Sequence, residues 1–191
     1  MELVERKPSA LRCMPEASIS PTHVSPRKDW PTIKPTTPLG SVPVLKVDGV
    51  MHCQSVALAR YAGKLGGFYP EDPLQALIVD EAIESLNELM ALAPKSPDAD
   101  ELLKLRKEFQ AGPMTKFANF FEGLIQQNGG VGFASTPSIA DLTLWGTVKS
   151  IRTGDWTGID ATFFDSFNGI TATVDSIAKN EKVVAYYASK E

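Results

Sequence analysis

Two pairs of polar side chains in the first third of the chain could bind the two ends of an acidic peptide. Trp30 and Lys34 lie in a proline-rich loop, where an indole N–H and an ammonium group could hold one carboxylate. Gln54 and Ser55 stand at the predicted start of a helix. Free N–H groups and the helix dipole favour an anion there, so this position suits a second carboxylate. The pattern therefore predicts a site for a short peptide with two carboxylates.

The Val42–Pro43 step stands at the start of a predicted strand, between these two pairs. An ordinary proline at that point removes a hydrogen-bond donor from the sheet. Because X–Pro bonds tolerate the cis form at low cost, we expect a cis bond. The backbone N–H and C=O of Val42 would then face outward, where they could pair with an extended peptide.

A β-hairpin and a helix are predicted to position these groups. The strands are Val42–Leu45 and Val50–Cys53, and Asp48–Gly49 is a typical two-residue hairpin turn between them. Apolar residues then recur at helical spacing over Val56–Leu65, and Gly66–Gly67 predicts the end of the helix.

Each candidate residue has a simpler structural role when it is considered alone. Trp30 could be a packing residue, Lys34 a solvated side chain, Pro43 an edge-strand proline and Ser55 a helix cap. Packing does not require their joint order and spacing, which favours the binding site.

The candidate residues belong to one ordered motif. From Trp30 it reads W-x-x-x-K-P-x-T-P-x-G-x-V-P-V-L-x-V-D-G, and from Gln54 it reads Q-S-x-A-x-A-R-Y. This pattern resembles the glutathione-binding half of a cytosolic glutathione transferase, most of all the sigma class with its alpha, mu and pi relatives. The helix-capping stretch Ser138-Ile139-Ala140-Asp141 is similar to the second half of that family. The resemblance runs from about Pro26 to the C-terminus.

The resemblance implies a two-domain fold. Residues 1–67 would form an α/β thioredoxin-like, glutathione-binding domain, incomplete because residues 1–22 are atypical, and residues 69–191 an all-α helical C-terminal domain. It also implies a homodimer through the long helices.

The resemblance also implies a role for each candidate residue with glutathione as co-substrate. It assigns Trp30 and Lys34 to the glycyl carboxylate. The cysteinyl unit would pair with the backbone of Val42, next to cis Pro43. Gln54 and Ser55 would bind the γ-glutamyl end. In that family an acidic residue of the partner subunit lies near the γ-glutamyl amine. The aligned position in this chain is Glu88, next to Asn87.

The amino-terminal segment departs from the family pattern. Family members begin with a strand that bears a tyrosine or serine hydroxyl, whereas no tyrosine precedes Tyr61 here and eight of the fourteen prolines fall within the first 43 residues. Nearby replacements for that hydroxyl are Ser18, Ser20 and Cys13. The catalytic residue therefore stays unassigned.

Three interpretations of the function follow. The first is conjugation of the glutathione thiol to electrophilic, small hydrophobic substrates, with Met90, Leu102, Leu105 and the C-terminal helix as candidates for the substrate pocket. Because sigma-like relatives include prostaglandin isomerases, isomerisation and peroxide reduction stay open beside it. The second is a non-catalytic scaffold that binds glutathione or another ligand but lacks the activating hydroxyl. The third is a transferase sequence with a foreign amino-terminal segment.

Composition argues against nucleic-acid and membrane partners. The net charge is −4 at pH 7, and the basic residues form no stripe of the kind that binds nucleic acid. No run approaches the ~18 apolar residues of a membrane span. The two cysteines, Cys13 and Cys53, and the two histidines suggest neither a disulfide framework nor a metal site. These features favour a cytoplasmic protein without a metal.

The second half of the chain is predicted to be helical. Asp72 should cap a long helix that has Pro73 at its first position. A second long stretch should run from Asp98 to about Gln127, with a kink at Gly112–Pro113. A short helix is expected over Ala161–Phe167, and later helices are expected over Ile170–Ala178 and Asn180–Ser189. The apolar positions of the first long helix are Leu74, Leu77, Ile78, Ile83, Leu86, Leu89 and Met90.

Overall fold

The structure is a computed structural model that describes residues 27–189. Ser18, Ser20 and Cys13, considered above as replacements for the activating hydroxyl, lie outside the described residues. The chain divides into two compact units, Met1–Gly67 and Phe68–Glu191. The described helices and strands are α1 (Trp30–Ile33), β1 (Val44–Val47), β2 (Val50–Cys53), α2 (Ser55–Gly66), α3 (Pro73–Leu92), α4 (Ala99–Phe109), α5 (Thr115–Gln127), α6 (Ile139–Arg152), α7 (Asn168–Ala178) and α8 (Glu181–Ala188).

The predicted hairpin is present in the first unit. Strands β1 and β2 pair antiparallel with Val47 opposite Val50, which leaves Asp48 and Gly49 as the turn. Their φ angles are +48° and +84°, the left-handed values that a tight hairpin turn requires. The first strand begins at Val44, two residues later than predicted, because Pro43 offers no N–H to the partner strand.

The helix that follows the hairpin is also confirmed. Helix α2 covers Ser55–Gly66 and ends at Gly67, whose φ of +74° places it in the left-handed region. The N–H of Gly67 donates to the carbonyl of Gly63. A glycine in this conformation satisfies the last free carbonyls of a helix, which is why the Gly66–Gly67 pair ends it.

The second unit is built from helices. Helix α6 packs against α3 and α7, and α5 packs against both α3 and α7. The largest fully buried side chains all lie in this unit: Phe121, Phe133, Phe164, Leu86, Met114, Ile125, Leu144, Ile151, Ile170, Ile177, Val79 and Val148. None of the helices within residues 27–189 is long and apolar enough to cross a membrane.

The start of α3 is as predicted, but only some of its predicted apolar positions are buried. The carboxylate of Asp72 accepts the Gln75 N–H at 2.9 Å, and Pro73 is the first helical residue. Leu74 and Leu77 remain 63% and 62% exposed. The buried face is formed further along the helix by Val79, Ala82, Ile83, Leu86 and Leu89.

The interruption predicted at Gly112–Pro113 is a turn of π-helix over Gln110–Met114. Proline offers no backbone N–H, so the regular hydrogen-bond ladder cannot pass through Pro113. The widened turn accommodates this break, and the Thr115 hydroxyl donates to the Gln110 carbonyl at 2.7 Å. The remaining helices, α7 and α8, occupy their predicted positions, while the short one is a 3₁₀ turn over Phe163–Ser166.

Candidate functional site

Trp30 and Lys34 lie four residues apart in the first unit. Trp30 is half-buried and opens α1, and Lys34 is exposed at the start of a 3₁₀ turn over Lys34–Thr36. The N–H of Lys34 donates to the carbonyl of Trp30, so the helical backbone continues between them. Residues four apart in a helix share a face, which allows the indole and the ammonium group to meet one ligand.

The peptide bond between Val42 and Pro43 is cis, as the sequence predicts. Val42 is 62% exposed and precedes the first residue of β1. Its backbone makes no hydrogen bond with any described residue. The backbone of Val42 is therefore available to an extended peptide.

Helix α2 begins without a capping side chain. Gln54 stands before it with φ +79° and ψ +104°, and its side chain makes no capping hydrogen bond. Only its carbonyl is engaged, as the acceptor of the Leu58 N–H at 3.0 Å. Ser55 is the first helical residue and is exposed. The N–H groups of the first turn and the Ser55 hydroxyl thus face solvent at the positive end of the helix dipole.

Each helix of the second unit that starts from a loop has at least one N–H of its first turn capped by a side chain. The capping acceptors are Asp72 for α3, Asp98 for α4, Ser138 for α6, Asn180 for α8 and, from α5, the carboxylate of Glu122 for α7. The start of α2, which has no side-chain cap, thus differs from the starts of these five helices of the second unit.

Two residues that the motif contains, but that were not assigned a role from sequence, belong to this region. Thr37 is buried and its hydroxyl donates to the Lys34 carbonyl at 2.9 Å. Gly40 has a φ of +62° and lies against the Lys34 side chain. The T-P-x-G spacing, typical of a turn, was the available signal for both residues.

Glu88 lies on α3 in the second unit and is exposed. Its predicted contact with a partner subunit stays a prediction. Of the residues considered for the substrate pocket, Met90 is exposed, and Leu102 and Leu105 are half-buried. Within residues 27–189, no three potential metal ligands come together.

Asp141 and Glu122 are two of the carboxylates of the second unit that have perturbed pKa values. Burial raises the pKa of Asp141, although its hydrogen bonds with Ser138 and Phe133 act in the opposite direction. For Glu122 burial also acts to raise the pKa, but the N–H donors at the start of α7 and the Gln126 amide outweigh it and lower the value. Both carboxylates hold backbone N–H groups in place, which indicates a structural role.

Comparison with known proteins gives consistent matches. A family model described as glutathione S-transferase, C-terminal domain, matches residues 84–190. The chain is 26% identical over 167 residues to a glutathione S-transferase of Anopheles gambiae, covering 86% of this chain and 80% of that protein. It is 41% identical over 76 residues to the hematopoietic prostaglandin D synthase of Gallus gallus, and this match covers 38% of each chain.

Solved structures show the same likeness. The prostaglandin synthase D of Nilaparvata lugens superposes with a TM-score of 0.74 at 30% identity, covering 86% of this chain and 82% of that one. A rat hPGDS complexed with a quinoline superposes with a TM-score of 0.73 at 20% identity, covering 88% and 82%. The second similarity concerns the fold alone.

Proposed function

The chain belongs to the glutathione S-transferase family, and we therefore propose that it binds glutathione and transfers the thiol to electrophilic, small hydrophobic molecules. It has the glutathione transferase fold, with a small two-stranded sheet in the described part of the first unit and a helical second unit. Family members use glutathione as co-substrate.

The bare start of α2 is the observation that carries this proposal. The γ-glutamyl carboxylate would accept hydrogen bonds from the first N–H groups of the helix and from the hydroxyl of Ser55, and the Gln54 amide would lie beside it. A side chain performs this task at the starts of α3, α4, α6 and α8. In α2 the ligand would supply the missing acceptor.

The rest of the tripeptide fits the remaining candidates. Its cysteinyl unit would pair with the free backbone of Val42 next to cis Pro43. Its glycyl carboxylate would accept hydrogen bonds from the indole N–H of Trp30 and the ammonium group of Lys34. Along the sequence, the three positions occur in the reverse of the order in which the γ-glutamyl, cysteinyl and glycyl units follow one another in the tripeptide.

In the reaction we propose, the bound thiol loses its proton to solvent and the thiolate attacks an electrophilic carbon. A sulfur–carbon bond forms, and where a leaving group departs it takes the bonding electron pair. A free thiol has a pKa of about 8.5, and a nearby helix start lowers such values. No described residue is assigned as the catalytic hydroxyl.

A second candidate activity is the formation of prostaglandin D. The similarity to the chicken and planthopper proteins, both named prostaglandin D synthases, supports testing it. We also propose a homodimer with Glu88 of each chain near the partner's γ-glutamyl site, and a cytoplasmic location, both as family features.

Calorimetry with glutathione, paired with a conjugation assay on a generic aromatic electrophile, tests the proposal. We expect Lys34→Ala and Ser55→Ala each to weaken glutathione binding by about tenfold or more, because each removes a hydrogen bond to a charged group. The controls are Lys95→Ala and Ser166→Ala, which alter exposed residues of the second unit and should bind like the unaltered chain.

The outcomes separate the interpretations. Binding with turnover, both weakened by the two substitutions, supports a transferase. Binding without conjugation or prostaglandin D formation would make the chain a glutathione-binding scaffold. If the unaltered chain bound no glutathione, the site itself would be refuted.

A further inference from the structure

Thr37 anchors the backbone of Lys34. Its hydroxyl donates to the Lys34 carbonyl at 2.9 Å, and its N–H reaches the same oxygen at 3.3 Å. Within residues 28–67, whose burial the structure describes, Thr37 is the only buried polar side chain, at 8% exposure. A buried hydroxyl needs a partner, so this hydrogen bond fixes where the turn after α1 can lie.

The Lys34 side chain packs against Gly40. The Gly40 N–H donates to the Thr37 carbonyl at 3.3 Å and closes a four-residue turn. A methyl group added at Gly40 would lie 3.4 Å from Cε and 3.6 Å from Cγ of Lys34. The lysine side chain therefore passes directly over the glycine, whose φ of +62° also disfavours any other residue.

We infer that the turn Thr37–Gly40 is a cradle that positions the Lys34 ammonium group for a carboxylate of the ligand. This inference rests on the proposed function, in which that carboxylate is the glycyl end of glutathione. Thr37 and Gly40 act through Lys34 and touch no ligand themselves, so both are positioning residues.

The physical advantage of such a cradle is preorganisation. A free lysine side chain has many rotamers and loses that freedom when it binds. The Gly40 surface and the anchored carbonyl restrict Lys34 before the ligand arrives, which lowers the entropic cost of binding. A change in the position of Lys34 should weaken the binding of a ligand that carries a glycyl carboxylate more than the binding of a ligand that lacks it. A general loss of structure would weaken the binding of both ligands equally.

Calorimetry with two ligands tests the inference. The ligands are glutathione and its glycyl amide, in which the terminal carboxylate is replaced by a neutral group. We expect Thr37→Val to weaken glutathione binding by about three- to tenfold, and binding of the amide by less than about twofold. Gly40→Ala should show the same selective loss, because the φ of +62° disfavours alanine and the turn that supports the lysine would shift.

Two further variants serve as controls. Thr37→Ser keeps the hydroxyl and should restore the affinity for glutathione. Thr36→Val removes a neighbouring exposed hydroxyl that donates to the Ile33 carbonyl at 2.7 Å, and it should leave both affinities unchanged. Circular dichroism of each variant reports whether the fold is retained.

Equal losses for the two ligands in Thr37→Val would overturn the positioning role while leaving the proposed function intact. If Lys34→Ala does not distinguish glutathione from its amide, the proposed contact between Lys34 and the glycyl carboxylate is wrong, and the inference about the cradle fails with it. If the unaltered chain binds neither ligand, the proposed function fails and this inference fails with it.

Discussion

Replacing Asp141 with alanine should cost more stability than any exposed helix cap. Asp141 is 1% exposed, and its two carboxylate oxygens accept three hydrogen bonds. The Phe133 N–H reaches Oδ1 at 2.9 Å, while the Ser138 N–H and hydroxyl reach Oδ2, each at 2.7 Å. One carboxylate thus holds the loop before α6 and the first turn of that helix together.

The magnitude follows from the donors that the substitution leaves buried. Asp141→Ala leaves two backbone N–H groups and one hydroxyl without a partner, at Phe133 and Ser138, which are both fully buried. Each unsatisfied buried group costs about 1–3 kcal/mol, so three such groups imply a loss of at least about 3 kcal/mol in the free energy of unfolding. A domain of this kind is stable by only about 5–15 kcal/mol.

Urea denaturation, followed by circular dichroism, measures the loss. The control is Asp98→Ala, which removes the exposed cap of α4, where the Glu101 N–H lies 2.8 Å from the carboxylate, and should cost about 1 kcal/mol. Because Ser138 and Asp141 share one hydrogen-bond unit, Ser138→Ala combined with Asp141→Ala should cost less than the sum of the single losses. A loss for Asp141→Ala no larger than that for Asp98→Ala would refute the reasoning.

The remaining predictions concern the contacts between α5 and α7. The lowered pKa of Glu122 means that its carboxylate stabilises the fold above its ordinary value of 4.5 and loses this effect as the pH falls through the lower, folded-state value. The difference in the free energy of unfolding between the unaltered chain and Glu122→Gln should therefore shrink as the pH is lowered below 4.5, and a difference that does not change with pH would contradict this role. Gly169→Ala should destabilise the chain by about 1–3 kcal/mol, because its methyl would lie 2.8 Å from the Ile125 side chain. Gly146→Ala, where the added methyl meets nothing within 4 Å, is the control in the same denaturation experiment, and equal stabilities of the two variants would contradict the prediction.

Local sequence signals predicted most of the elements that form the candidate site. The Asp48–Gly49 turn, the cis bond before Pro43 and the glycine end of α2 were all predicted from a few adjacent residues. In each case one residue type satisfies a backbone requirement that its neighbours create, so the answer needs no distant contact. The assignment of the ligand depended on a family resemblance, since spacing alone predicts only an acidic peptide.

Some helix caps in the second unit are predictable from neighbouring residues, and others depend on tertiary packing. Ser138 and Asp141 are three residues apart and form the capping box that their spacing predicts. The cap of α7 comes instead from Glu122, which is 47 residues from Gly169. No local pattern marks that glutamate, because its role exists only once α5 and α7 are packed together.

Sequence by itself determined most of the described helices and strands to within a few residues, because backbone hydrogen bonds and caps are satisfied within a turn or two. Only the tertiary structure decided which faces of those elements are buried. Leu74 and Leu77 keep helical spacing yet remain exposed, while the smaller Val79 and Ala82 are fully buried. Thr37 likewise becomes an anchor for Lys34 because the surrounding chain removes it from water. Burial depends on what the other elements bring to a position, and that is a property of the packed molecule.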